Sequence, residues 1–339
     1  MSDISVPTRL TSEYGLRHPF VSAGMGFVAH ERLAAAVSNA GGLGILGASP
    51  DPPASLAAMT ERMRVLTDRP WGVDLICAET GFGPASTAEH VEVCLAEGVP
   101  LVVFHHDPPP AEWVRRLTRG GVRVWMQVSS VELAAAAVEL GVPGLVAQGR
   151  EAGGHTRSTV PVAELLGRLR ASYPDTLLLA AGGISDGAAV AAALRAGADG
   201  VWVGTRLVAS EEAYAHPEYK DRLVRSTGAT VTTTAFGPEW PGQAYRLLAT
   251  PLAREYPTAP DTPPSATPIG HTRLFPHSVD QPYEMPQFCT VPPTPPTGGS
   301  WDSMAYPAGQ GVASVRAVAP AAEIISEMMA EARAELARS

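Results

Sequence analysis

Residues 177–206 carry the reading that decides the fold. They run Leu177-Leu178-Leu179-Ala180-Ala181-Gly182-Gly183-Ile184-Ser185-Asp186, then an alanine-rich segment over 188–196, then Gly200-Val201-Trp202-Val203-Gly204-Thr205-Arg206. Two short apolar runs flank one helical segment, and each run ends on glycine. A buried strand, a helix and a second buried strand in about 30 residues make a parallel βαβ unit.

The same rhythm repeats upstream. Apolar runs at 20–23, 43–46, 72–76, 101–104, 122–127 and 144–147 join 177–180 and 200–203 to give eight predicted strands. Helical spacing falls between them at 31–40, 54–66, 86–97, 111–119, 131–140, 162–172 and 188–196. Strands this apolar are covered by helices on the outside. Eight of them predict an α/β protein of the (β/α)8 TIM-barrel type rather than an open doubly wound sheet.

Beyond Tyr219 the rhythm breaks. Thirteen of the 32 prolines lie between Pro251 and Pro296, which argues against regular helix or central strand there. Yet Phe236, Trp240, Tyr245, Leu274, Phe275, Tyr283, Met285 and Phe288 give this region more apolar anchors than a linker carries. It reads as an ordered excursion over one face of the barrel. Ile324, Ile325, Met328, Met329 and Leu336 then form one face of an amphipathic C-terminal helix that completes the barrel. The expected organisation is a barrel core over 1–225, an irregular proline-rich excursion over 226–315 and a closing helix over 316–339.

Composition narrows the function classes. With 45% hydrophobic and 17% charged residues the chain can bury a large core. A net charge of −9 without a basic run argues against nucleic acid as a partner. Cys77, Cys94 and Cys289 are odd in number and scattered, so neither a disulfide framework nor zinc spacing follows. Residues 1–7 lack the pattern of a secretory leader, and no apolar run reaches membrane-spanning length. A cytoplasmic protein without a membrane partner is expected, and a homo-oligomer is compatible with this composition.

In a barrel of this kind the chemistry sits on the loops that leave the C-terminal strand ends. Gly182-Gly183 and Gly204-Thr205 leave strands seven and eight, where bare backbone amides and a helix N-terminus suit a phosphate. Asp186 reads as a helix N-cap, because a carboxylate would repel that phosphate. The first strand runs into Ala23-Gly24-Met25-Gly26-Phe27-Val28-Ala29, formally a dinucleotide fingerprint. The acidic residue it needs is replaced by Leu46-Gly47-Ala48, so a ring edge lying on Ala23, Gly24 and Met25 is the better reading. Asp74 is a carboxylate near the end of an apolar strand and needs a partner if buried. His105 and His106 point opposite ways in an extended segment, so at most one faces the site, and no metal centre is expected. Gln127 places a neutral amide at a strand end.

Strand six leads into Ala147-Gln148-Gly149-Arg150-Glu151-Ala152-Gly153-Gly154-His155. The glycine pair Gly153-Gly154 allows a flat cofactor to lie against backbone. His155 beside it is the leading catalytic candidate, with a purely structural histidine as the alternative.

Taken together, these residues resemble the nitronate monooxygenase family, formerly called 2-nitropropane dioxygenases. The likeness rests on Gly41-Gly42-Leu43-Gly44-Ile45-Leu46-Gly47, on 147–155, on Ala180-Ala181-Gly182-Gly183-Ile184 and on 197–205. His216-Pro217-Glu218-Tyr219-Lys220 and Tyr306-Pro307-Ala308-Gly309-Gln310-Gly311 also fit. The resemblance implies an FMN-dependent barrel that oxidises alkyl nitronates, such as propionate 3-nitronate, with O2 to a carbonyl compound and nitrite. It implies that Gly182, Gly183, Gly204 and Thr205 hold the FMN phosphate. Met25, Gln127, Gly153 and Gly154 would lie along the ribityl chain and ring, and His155 beside the reactive edge. Two positions depart from the family pattern. Asp74, a cofactor-binding position by the resemblance, stands where the family often has Asn and so puts a potential charge close to the cofactor, and Arg157 stands where a small residue is common. His105 and Arg157 are candidate substrate contacts, Arg157 for an anionic substrate, with a solvated surface arginine as the alternative. Two other readings stay open: an FMN-dependent NAD(P)H oxidoreductase of the enoyl-acyl-carrier-protein reductase type, and a barrel without catalysis that acts in binding or assembly.

Overall fold

The strands Phe20–Ser22 (β1), Gly44–Gly47 (β2), Trp71–Cys77 (β3), Leu101–His106 (β4), Arg123–Val128 (β5), Gly144–Gln148 (β6), Leu177–Ala181 (β7) and Gly200–Val203 (β8) form one parallel sheet. The computed structural model describes residues 6–49, 51–80, 83–238, 240, 242–260, 267–277 and 282–338. The leader reading of residues 1–5 and two pieces of the proline-rich run, 261–266 and 278–281, lie outside the described residues. Each strand pairs with its successor from β2 to β8, and β8 pairs with β1. The ring closes between β1 and β2 through a parallel bridge of Val21 and Leu43. There the Leu43 N–H donates to Phe20 O (2.9 Å) and the Ser22 N–H to Leu43 O (3.0 Å).

Alternation along each strand sorts side chains into two cores. Leu101 and Val103 of β4 join Ile45, Trp125, Val146 and Leu179 in the barrel interior, whereas Val102 and Phe104 face the helices. Burial on both faces explains why the strands are nearly continuous in apolar residues. Between the strands run Glu31–Asn39 (α1), Pro53–Leu66 (α2), Ala88–Ala96 (α3), Ala111–Arg119 (α4), Val131–Glu139 (α5), Val162–Ser172 (α6) and Gly187–Arg195 (α7). The C-terminal helix Ala321–Leu336 (α8) packs against α7 and α1. It buries Ile324, Ile325, Met328 and Met329, and Glu331 accepts a hydrogen bond from the Gly187 N–H at 2.8 Å. Among the described residues no helix is long and apolar enough to cross a membrane.

Two expectations need correction. β3 continues to Cys77, so Asp74 sits mid-strand, paired with Gly47 and Val103, rather than at the strand end. The proline-rich region also carries more regular structure than its composition predicts. A short helix, Pro251–Glu255, starts with proline at its first position, where the missing N–H breaks no helical bond. Gly270–Thr272 is the central strand of a small antiparallel sheet, between Tyr283–Met285 and Gly298–Gly299. It occupies a proline-free gap, so its ladder keeps all its donors. Phe236, Tyr245, Leu247, Ala253, Phe288 and Ala305 bury together as a third core under this excursion.

Candidate active site

The loops after β7 and β8 make a cradle of backbone amides. Gly182 and Gly183 have φ of +111° and +73°, values L side chains rarely adopt. A Cβ on Gly182 would meet the Ala152 nitrogen at 2.9 Å, so the loop after β6 closes tightly over it. The Thr205 hydroxyl accepts the Gly309 N–H at 2.9 Å, which leaves its own proton free to donate. Asp186 caps α7, as expected: it accepts from the Ala189 N–H at 2.9 Å and from the Ser314 hydroxyl at 2.6 Å. Its charge is spent on the helix, and the glycine amides remain for a dianion.

The loop after β6 is fixed by a part of the chain almost a hundred residues later. Gly154–His155 is an edge strand that pairs antiparallel with Tyr245–Leu248, setting His155 opposite Tyr245 and Gly154 opposite Arg246. Trp240 and Tyr245 pack on the His155 ring, with centroids at 4.8 and 4.6 Å. Gln148 donates to the His155 carbonyl at 3.2 Å. The His155 Nε2 has no protein partner, and burial, followed by the neighbouring His106 and His105, lowers the ring pKa to about 3. The imidazole is therefore neutral at physiological pH. It is a poor base there but an available hydrogen-bond donor.

β3 and β4 bring Asp74 and His105 together: His105 Nδ1 lies 2.6 Å from Asp74 Oδ1. Burial pushes the Asp74 carboxyl above the usual carboxylate range, and His105 pulls it back. Gly24 lies directly over this carboxylate, since a Cβ there would stand 2.2 Å from the Asp74 Cβ. His105 lines the cavity and His106 does not. With φ of +82°, His106 instead turns its ring beside Trp240, at 5.1 Å, and burial lowers its pKa to about 4.

All these loops open onto one cavity of about 530 Å³. Ala23, Gly24, Met25, Asp74, Gln127, Gly153, Gly154, Gly182, Gly183, Gly204, Thr205, His105 and His155 all line it. Arg157 does not. Its side chain is 42% exposed and pairs with Asp107 at 2.5 Å, and it also donates to the His106 carbonyl. The ceiling comes from the excursion: Trp240, Tyr245, Leu274, Phe275 and Tyr283, all among the apolar anchors read from sequence, are joined by Val291. Phe27, with φ of +65°, stacks towards Phe275 from the barrel side. Gly309 and Gly311 also reach the wall. The aromatics among the prolines were a visible signal, but nothing local said which face they cover. Among the described residues no lysine or arginine lines the cavity.

Acid should destabilise the fold through histidines buried neutral. His30, at the N-terminus of α1, stacks on Tyr214 at 4.9 Å; neither ring nitrogen has a hydrogen-bond partner, and burial lowers its pKa to about 4. His30, His106 and His155 all have folded pKa values below the usual ~6.5. Their contribution to stability is thus present above about pH 6.5 and is lost as pH falls towards 4. Thermal melts should show Tm dropping over that window, and His30→Phe should flatten the drop. A slope unchanged in His30→Phe would remove His30 from the account.

The model of the nitronate monooxygenase family matches residues 8–331. The chain belongs to the nitronate monooxygenase family. It is 30% identical to a nitronate monooxygenase of Pseudomonas aeruginosa, over 96% of this chain and 99% of that one. It is also 34% identical, over 73% of this chain and 68% of the relative, to a 5-hydroxy-7a-methyl-1-oxo-octahydro-1H-indene-4-carboxyl-CoA dehydrogenase of Mycobacterium tuberculosis. Among solved structures, a nitroalkane oxidase of Streptomyces ansochromogenes superposes with a TM-score of 0.77 at 28% identity, covering 97% of this chain and 99% of that one. FabK of Thermotoga maritima does so with 0.78 at 28%, covering 98% of each. This nitronate monooxygenase family member is an enzyme of the oxidoreductase class, and relatives of differing activity share its barrel.

Proposed function

We propose that the enzyme binds FMN in this cavity and oxidises alkyl nitronates with O2 to a carbonyl compound and nitrite. The observation that carries the reading is one cavity with an amide cradle at one end and an unpartnered, neutral His155 Nε2 beside it. The residues fit the cofactor. Gly182, Gly183, Gly204 and Thr205 would take the phosphate through N–H groups and one hydroxyl. Gln127 offers an amide to the polar ring edge, and Met25, Gly153 and Gly154 leave a flat slot that side chains would fill. When bound, FMN supplies the redox chemistry between nitronate and oxygen.

The protein's own part is orientation, exclusion of water and charge. His155 would donate through Nε2 to a nitro oxygen, where it is most useful as negative charge redistributes. The aromatic ceiling would keep water away and hold an apolar chain. With Arg157 committed to Asp107, the cavity lining among the described residues offers no lysine or arginine to a second anionic group on the substrate. Propionate 3-nitronate, named above as a family substrate, is therefore disfavoured against a plain alkyl nitronate. With three cysteines all buried as free thiols, a reducing cytoplasm is the proposed setting.

The likeness to FabK supports a second reading, an NAD(P)H-dependent reductase. Anaerobic mixing separates the two. Ethyl nitronate is expected to bleach the flavin of the purified enzyme, with NADPH far slower. Bleaching by NADPH alone, with none by nitronate, would reverse the assignment. A colourless protein that takes up no FMN would point instead to a barrel without catalysis.

A further inference from the structure

One short segment late in the chain ties together the loops that form the amide cradle. Gly309 and the 3-10 turn Gln310–Ser314 cross the loops that leave β6, β7 and β8. The Gly309 N–H donates to Thr205 Oγ1 and the Gln310 N–H to the Glu151 carbonyl, both at 2.9 Å. The Ser314 hydroxyl donates to Asp186 Oδ2 at 2.6 Å. The approach requires glycine. A Cβ on Gly309 would stand 2.8 Å from the Glu151 oxygen, and one on Gly311 would stand 2.5 Å from the Gly183 oxygen. Gly309 and Gly311 line the cavity, whereas Val312 and Ser314 do not. The turn packs against the short helix Thr205–Val208 and the helix Pro217–Val224, and Val312 is the side chain it buries.

We propose that residues 309–314 are a clasp that opens to admit and release FMN, so that cofactor exchange is limited by this segment rather than by the aromatic ceiling. The inference rests on the FMN reading above. Three directed hydrogen bonds and one buried valine hold the clasp, and its glycines put no side chain between it and the loops. On opening, those hydrogen bonds are exchanged for bonds to water, so their net cost is small. The ceiling is held differently. Tyr245 is buried with Phe236 and Phe288 in the third core, and Phe27 stacks on Phe275. Passage of a three-ring cofactor there would bare several aromatic faces to water, at a cost that grows with apolar area. Lifting residues 309–314 instead uncovers Gly183, Thr205 and Glu151 together, at the cradle end of the cavity. Val312 and Ser314 are then positioning residues, which line no part of the cavity yet set how often the cradle opens.

The test uses the full chain stripped of FMN. Loading is followed by stopped-flow flavin fluorescence, and release by chasing the loaded protein with excess apoflavodoxin as a trap. A gate makes the loading rate level off as FMN concentration rises, at the frequency of opening. Ser314→Ala and Val312→Ala should each raise that plateau and the release rate in parallel by about 10-fold, with Kd moving by less than about threefold. Ser314→Thr, which keeps the hydroxyl, should stay near wild type. Faster release with unchanged loading overturns the proposal, because it marks the segment as a contact and not a gate. Unchanged rates in both variants, or a wild-type loading rate that climbs linearly with FMN, overturn it as well. Acceleration of both rates by Phe275→Ala, with none by the clasp variants, would move the route to the ceiling. Failure of the stripped wild type to take up FMN would discard the FMN reading and the clasp with it. The expected rates without flavin bleaching by ethyl nitronate would keep the clasp and discard the oxidative reading alone.

Discussion

His155→Ala should keep bound flavin and lose roughly 10²–10³-fold in kcat/KM on an alkyl nitronate, the size of effect seen when one preorganised donor is removed. The ring is held by Trp240 and Tyr245 and by backbone pairing to Tyr245, so its position does not depend on substrate. Truncation to alanine leaves that pairing intact, which is why loss of activity without loss of colour is expected. Because burial lowers the pKa to about 3, the imidazole stays neutral from about pH 5 upwards. The nitronate pH–rate profile should therefore show no limb near the ordinary histidine value that vanishes in the variant. His155→Gln, which restores an N–H donor, should recover part of the rate. Unchanged kcat/KM in His155→Ala would remove the residue from the mechanism.

Gly182→Val should strongly weaken FMN retention. The φ of +111° is close to forbidden for a β-branched residue, and strain of about 1–3 kcal/mol follows from that alone. The added Cβ would also stand 2.9 Å from the Ala152 nitrogen, a backbone atom that cannot swing aside. Relief requires the loop to move, taking with it amides that hydrogen-bond a charged phosphate at about 1.5–3 kcal/mol each. Losing one or two such bonds corresponds to a Kd about 10- to 10⁴-fold weaker, measurable by fluorescence titration after desalting. Gly141→Ala is the control, since a Cβ there meets nothing within 4 Å, only its φ of +79° is strained and it does not line the cavity. Full retention by Gly182→Val would place the phosphate elsewhere.

Much of the fold was legible because its signals are local. Eight apolar runs and seven helical segments read directly as strands and helices, and Asp186 was readable as a cap from its place before a helix. Asp74 shows the limit. Its need for a partner followed from an apolar strand, but the partner depends on how β3 and β4 are registered. His105 and His106 followed the alternation rule only in part, because the positive φ at His106 redirects that side chain towards Trp240. Arg157 was visible as a charge near the catalytic loop, but its commitment to Asp107, fifty positions earlier, was not.

The sequence by itself determined the strand–helix alternation, the glycine turns at the strand ends and the one loop that carries a histidine beside a glycine pair. These depend on side-chain period and on backbone freedom, which a few neighbouring residues set. Only the tertiary structure decided that β1 meets β2, that Tyr245 pins His155, that Asp74 meets His105 and that the aromatics of the excursion roof a cavity with no lysine or arginine among its described lining residues. Those contacts join residues separated by tens of positions to about 250, and they follow from sheet register and from how the proline-rich chain packs back, which no local pattern encodes.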